Sequence, residues 1–428
     1  MTAVTARPTV DPVARPAEPL PAGGGARVVL VTGKGGVGKT TTAAALAVSS
    51  ARSGLRTLVM STDVAHSLGD ALDVPLRTAA TWSETTPVEE RLEAQAVGAH
   101  TSVEAAWETV QGYLLEVLDS VGVDPVIAEE LTSLPGADEV SALLALGHQV
   151  RSGRWDLVVV DCAPTAETLR LLALPEILGW HLDRLLPAQR RMLTALRPAA
   201  AAATGFPLPG PEVLGVVTAW REQMEQVRAL LTSASASVRL VLTPEKVVIA
   251  EARRVLTALS LHGYAVDQVV VNRLIPTDDA DPWRAAWNAA QAEGLDLIRE
   301  SVHGIPIATA PFLAGEPTGA DALAALAAAG TDLDGRAPDL RERVEPPTMT
   351  VSADGADFVL TLALPLVRSD EVALSRREDD LLIEVGGQRR VVALPSVLRR
   401  CVVKNAGVRR GELRVRFERD EEVWPRGG

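Results

Sequence analysis

Eight consecutive residues, Gly33-Lys34-Gly35-Gly36-Val37-Gly38-Lys39-Thr40, carry the strongest chemical signal in the chain. Their spacing fits G-x-x-x-x-G-K-[ST], in which glycines let successive backbone N–H groups fold around phosphate oxygens. A helix starting at the end of the loop adds positive potential. Lys39 then meets the β- and γ-phosphates, and Thr40, followed by Thr41, offers a hydroxyl to Mg2+. The expected ligand is MgATP.

Such a loop works only between a strand and a helix, and its flanks supply both. Arg27 to Thr32 reads as a buried strand, and the Ala-rich run from Lys39 to about Arg52 as a helix. Arg56 to Ser61 and Trp155 to Asp161 read as further strands. Apolar segments at Gly215 to Thr218, Val238 to Leu242 and Gln268 to Asn272 alternate with helical stretches, the rhythm of a wound parallel sheet. From Trp82 to Val150 apolar residues recur at three- and four-residue spacing, which predicts helix; with residues 176–205 this forms a helical insert. Residues 331–346 shift to Asp, Gly, Arg and Pro and read as a linker. Beyond it, Phe358 to Leu364, Leu381 to Val385 and Leu413 to Phe417 read as short strands between turns. The expected fold class is α/β, a P-loop NTPase with a parallel sheet flanked by helices and a helical subdomain, plus a small C-terminal antiparallel β sandwich. The segments run 1–26 (disordered), 27–330 (ATPase), 331–346 (linker), 347–418 (β domain) and 419–428 (tail).

Composition narrows the function classes. A net charge of -13 opposes general nucleic-acid binding, which needs a clustered Lys/Arg surface. The arginine pairs at 389–390, 399–400 and 409–410 sit among acidic residues and read as a solvated surface. Two cysteines, Cys162 and Cys401, build neither a disulfide framework nor a C-x-x-C zinc clasp within one chain. The first 26 residues lack the apolar core of a signal peptide, and no apolar run reaches the roughly 20 residues of a membrane helix. A cytoplasmic protein without direct membrane insertion is expected.

Two further segments follow strands: Ser61-Thr62-Asp63-Val64-Ala65-His66-Ser67-Leu68, and Asp161-Cys162-Ala163-Pro164-Thr165-Ala166-Glu167-Thr168-Leu169-Arg170. Together with the phosphate loop they resemble the switch segments of the ArsA arsenite-pump and tail-anchored-protein-targeting ATPases. That resemblance implies that Asp63 orients the attacking water and that Asp161 holds Mg2+, both acids acting on the metal through water. It also implies that Lys34, the second lysine of a deviant loop, reaches a partner's nucleotide across a homodimer interface. Asn272, in Val270-Val271-Asn272-Arg273-Leu274, is similar to the asparagine that hydrogen-bonds adenine, and Pro311 and Phe312 to the loop covering the base. Residue type alone leaves Asn272 equally a turn or capping residue and Phe312 equally a core residue. Two departures stand out: Val64 replaces a usual proline, and Ala166-Glu167 a usual Gly-His pair. They put the coupling of the switches in question, not the acids. In the C-terminal part, Leu394-Pro395 and Ala406-Gly407 through Gly411-Glu412-Leu413 resemble the α-crystallin domain of small heat-shock proteins.

Three functions follow from the resemblance. One is a nucleotide-gated homodimer that binds and releases a protein client, for targeting or as a chaperone. The second is the energy-coupling subunit of an anion or metalloid pump with a membrane permease as partner. The third is a nucleotide-switched interaction module with slow hydrolysis. Arsenite is bound by soft thiolates, and only Cys162 lies in the ATPase part, which weakens the second. A client groove built on methionine has little support, since within the ATPase part only Met192 and Met224 follow the second switch.

Overall fold

The computed structural model describes residues 25–62, 67–98, 101–120, 122–124, 137–163, 168–169, 172–173, 209–276, 282–302, 304–333 and 339–421. The N-terminal part is built on a nine-stranded sheet of order β3-β4-β2-β5-β1-β6-β7-β8-β9. Its central strands are β1 (Arg27–Thr32), β2 (Thr57–Ser61), β5 (Leu157–Asp161), β6 (Ala236–Leu242), β7 (Val266–Leu274) and β8 (Ile307–Pro311). These run parallel, and β1, β2, β5 and β6 are buried along their whole length, as strands covered on both faces must be. At the opposite edge of the sheet from the loop, Asp267 is shared by Arg27 at 3.5 Å and Arg239 at 3.1 Å.

Helix α1 (Lys39–Arg52) lies on one face with α2 (Ser67–Leu72) and a later helix, Ala320–Ala329. Its alanines, among them Ala43, Ala44 and Ala47, are fully buried and let the helix approach Val29, Val31 and Val159 closely. The other face is covered by α3 (Thr101–Ser120), α4 (Ala137–Arg151), α5 (Pro211–Leu231) and α6 (Lys246–His262). Trp107 of α3 stacks on Trp220 of α5 with ring centroids 6.2 Å apart. Helix α7 (Pro282–Ser301) links β7 to β8, and α8 is Ala320–Ala329. No helix among the described residues is long and apolar enough to cross a membrane.

Three sequence expectations need correction. The run from Trp82 is not helical throughout, because β3 (Thr86–Glu89) and β4 (Leu92–Ala96) form a hairpin on the edge of the sheet. Leu92, Ala94, Gln95 and Ala96 are all buried, and parallel pairing with β2 outweighs the helical spacing. Gly215 to Thr218 belongs to α5 instead of a strand; a short apolar run does not separate the two by itself. The sheet is mixed, with β3 and β9 (Thr331–Asp332) antiparallel at its edges, so the first two residues assigned to the linker extend the sheet. The expected helix 176–205 lies outside the described residues.

The C-terminal part is an antiparallel sandwich of a four-stranded sheet, β10-β11-β16-β15, and a three-stranded sheet, β12-β13-β14. Its strands are β10 (Thr350–Asp354), β11 (Asp357–Ala363), β12 (Val372–Arg377), β13 (Asp380–Val385), β14 (Gln388–Ala393), β15 (Cys401–Arg409) and β16 (Glu412–Arg419), with a short helix α9 (Ser396–Arg399). Alternate residues Leu360, Leu362, Leu381, Ile383, Leu413, Val415 and Phe417 fill its core. Leu261, from α6 of the N-terminal part, is fully buried in that same core.

Candidate functional site

The phosphate-binding motif occupies the place its chemistry needs, after β1 and before α1. Two of its glycines are required by close approach. A Cβ on Gly33 would run into the carbonyl oxygen of Val241 on β6, and one on Gly38 into the side-chain amide of Asn272. Gly38 also has φ 92°, a left-handed conformation that L side chains resist. Lys39 is buried, and its Nζ donates to the carbonyl of Lys34 at 3.4 Å across the mouth of the loop. The Thr40 hydroxyl is 3.4 Å from that of Ser67, the first residue of α2, so the loop touches the end of the first switch segment.

Strand register brings the second segment to the same edge. Asp161 pairs with Val31 on one side and Ser61 on the other, and is fully buried. Thr62 N–H donates to the Asp161 carbonyl at 3.0 Å, and Ala163 N–H donates to the Thr62 hydroxyl at 3.2 Å. Thr168 closes the segment back on the loop strand: its hydroxyl accepts from Thr32 at 3.1 Å and donates to the Ala163 carbonyl at 2.7 Å. Sequence reasoning quoted Thr168 without giving it a task. Asp63, Val64, Ala166 and Glu167 lie outside the described residues. A hydroxyl from Thr40 and a carboxylate from Asp161 are hard oxygen donors at one sheet edge, a donor set that suits Mg2+. Cys162 is a different kind of group, since burial pushes its thiol up and keeps it neutral.

On the other side of the loop, Asn272 is buried at the end of β7. Its Nδ2 donates to the Val37 carbonyl at 2.9 Å, and its Oδ1 accepts from Arg273 N–H at 2.9 Å. The side chain therefore props the loop as well as lining the cavity beside it. That cavity, of about 300 Å³, is bounded by Gly38, Thr41, Asn272, Arg273, Pro311 and Phe312. Phe312 is 55% exposed and is thus no core residue; its N–H donates to the Leu274 carbonyl at 2.7 Å, which holds the covering segment against β7. Arg273 takes a left-handed φ of 59°, an unusual conformation for a non-glycine residue, and was not singled out from the sequence. Lys34 stands apart from this group, 38% exposed, with its Nζ 3.7 Å from Glu251 on α6.

A family model described as anion-transporting ATPase matches residues 26–330, and a second, described as an HSP20-like domain found in ArsA, matches residues 355–417. The chain is 38% identical over 423 residues to Protein Rv2184c of Mycobacterium tuberculosis, covering 94% of this chain and 98% of that protein. It is 33% identical over 376 residues to a Chlorobaculum tepidum protein named "Putative arsenical pump-driving ATPase", covering 86% and 90%. Against ATPase GET3B of Arabidopsis thaliana the identity is 30% over 318 residues, covering 69% and 76%.

Proposed function

This chain belongs to the ArsA family of anion-transporting ATPases, and on that premise we propose that it hydrolyses MgATP as a nucleotide-gated homodimer that binds and releases a protein client. The observation that carries the nucleotide-binding part of the reading is the contact between Gly38 and Asn272. It joins a phosphate-cradling loop to a cavity of about 300 Å³ with an amide on its wall and an exposed aromatic ring at its rim. Loop and cavity together offer the chemistry a nucleotide needs, with donor and acceptor available to the base from one amide.

Phosphoryl transfer asks a protein mainly for positioning and charge. The buried ammonium of Lys39 neutralises charge growing on the β- and γ-oxygens, and the loop's N–H groups fix the phosphates. Thr40 and Asp161 would hold magnesium, which would supply further charge neutralisation at the same oxygens. Asp63 aligns the attacking water, and Lys34 of the facing chain completes the site. Because Thr40 touches Ser67 and Thr32 touches Thr168, a change at the phosphates reaches both switch segments through single hydrogen bonds.

The name of the Chlorobaculum relative favours a second reading, an energy-coupling subunit for metalloid export with a permease partner. Against it, Cys162 and Cys401 are both buried, lie in different parts of the chain, and leave arsenite without a cluster of thiolates. A third reading, a nucleotide-switched interaction module, differs in its slow turnover and in using the β domain as the partner-binding part. Light scattering with ATP, ADP and no nucleotide tests the gate directly. Pairing that ATP promotes and hydrolysis reverses is expected; a molecular mass indifferent to nucleotide would refute it.

A further inference from the structure

Lys34 has a partner inside its own chain. Glu251 receives its ammonium at 3.7 Å, with the two side chains 38% and 26% exposed. Glu251 stands on α6, whose Ile249, Ala252, Val255 and Leu259 are packed into the sheet. The far end of α6 is anchored as well. Leu261 is built into the core of the β sandwich, Ser260 donates to the Ala363 carbonyl at 2.8 Å, and Thr257 donates to the Pro365 carbonyl at 3.1 Å. A helix clamped at both ends cannot follow the lysine, so any move away from this ion pair is a move by Lys34.

We propose that Glu251 is a positioning residue for Lys34, holding its ammonium within the unpaired chain and releasing it when Lys34 reaches the nucleotide of a second copy. This rests on the homodimer reading above. One ammonium cannot serve both partners at once, so the intrachain contact competes with closure. The competition has the right strength for a switch. A half-exposed ion pair contributes little and is screened by water, whereas a contact to phosphate oxygens in a water-poor seam is far stronger. Arg254, one helical turn beyond Glu251 and exposed, offers the released carboxylate another cation. The pairing thus delays closure in the absence of triphosphate and gives way in its presence.

The test is a chain-concentration series followed by sedimentation with a saturating non-hydrolysable ATP analogue. Glu251→Gln, which keeps the side chain's shape, should pair at about two- to fivefold lower concentration than the wild type, the factor an exposed ion pair supplies. Analogue affinity in the separate chain should stay the same, and added salt should shrink the difference. Glu251→Asp, which shortens the reach, should fall between the two. The double variant Lys34→Ala with Glu251→Gln should pair no better than Lys34→Ala alone. If Glu251→Gln pairs as the wild type does, or if its gain persists without Lys34, the proposal is wrong. That failure is distinct from failure of the homodimer reading, in which the wild type would not pair with the analogue, or Lys34→Ala would pair and hydrolyse normally.

Discussion

Asn272 offers the sharpest test of the site, because its amide serves the protein before any ligand arrives. Replacing it with alanine removes the 2.9 Å bond to the Val37 carbonyl and the 2.9 Å bond from Arg273 N–H. The buried Val37 carbonyl loses its partner at a cost of about 1–2 kcal/mol, and the Arg273 N–H, on an exposed residue, loses its own at less, so the nucleotide-free chain should lose about 1–3 kcal/mol of stability. The loss of the amide at the base should weaken ADP binding further, by about five- to tenfold, and narrow the preference for adenine over guanine. Asn272→Asp separates the two bonds: it keeps an acceptor for Arg273 but turns a carboxylate toward the Val37 carbonyl, so the loop should suffer more than the turn. The assays are urea unfolding without nucleotide and calorimetric titration with ADP and GDP. Unchanged unfolding of the free alanine variant would refute the propping role, and an unchanged adenine preference would remove Asn272 from the base site.

Lys39→Ala should abolish tight MgATP binding by calorimetry, since the phosphates lose their buried cation; retained affinity would remove the loop assignment. Asp63→Asn should keep MgATP affinity within a few-fold while lowering turnover by roughly 10²-fold or more, the scale of a positioned base, and an unaffected rate would free Asp63 of that role. Lys34→Ala should cost little nucleotide affinity but most of the turnover. Mixed with Asp63→Asn chains it should regain about half of the wild-type activity per heterodimer, because one composite site collects both defects and the other neither. Mixed chains that pair without regaining activity would show that Lys34 does not act across the interface.

Much of this was legible because the signals were local. The loop's glycines, lysine and threonine are adjacent in the chain, and Val29, Val31, Val158 and Val159 announce strands buried on both faces. Asn272, Pro311 and Phe312 were singled out by the family resemblance alone; they line one cavity because parallel strands deliver their C-terminal ends to one edge. The hairpin Thr86–Ala96 was missed because its pairing with β2 is non-local and overrides the spacing of its own residues. The bond from Asn272 to Val37 and the ion pair from Lys34 to Glu251 were invisible for a related reason: they join residues that only the crossovers bring together. Phe312 shows the opposite limit, since residue type did not separate core from surface and only its exposure did.

Leu261 bears on how this protein could be divided. Sequence comparison draws the heat-shock-like unit at residues 355–417. A cassette cut there would leave behind Thr350–Asp354, which pairs along Asp357–Thr361, and the leucine from the enzyme that plugs its interior. The remaining enzyme would carry that leucine bare on the last turn of a helix whose Ser260 and Thr257 had lost their acceptors. The boundary drawn by sequence therefore does not follow the packing, because the interior of the sandwich is completed by a leucine from the other part of the chain.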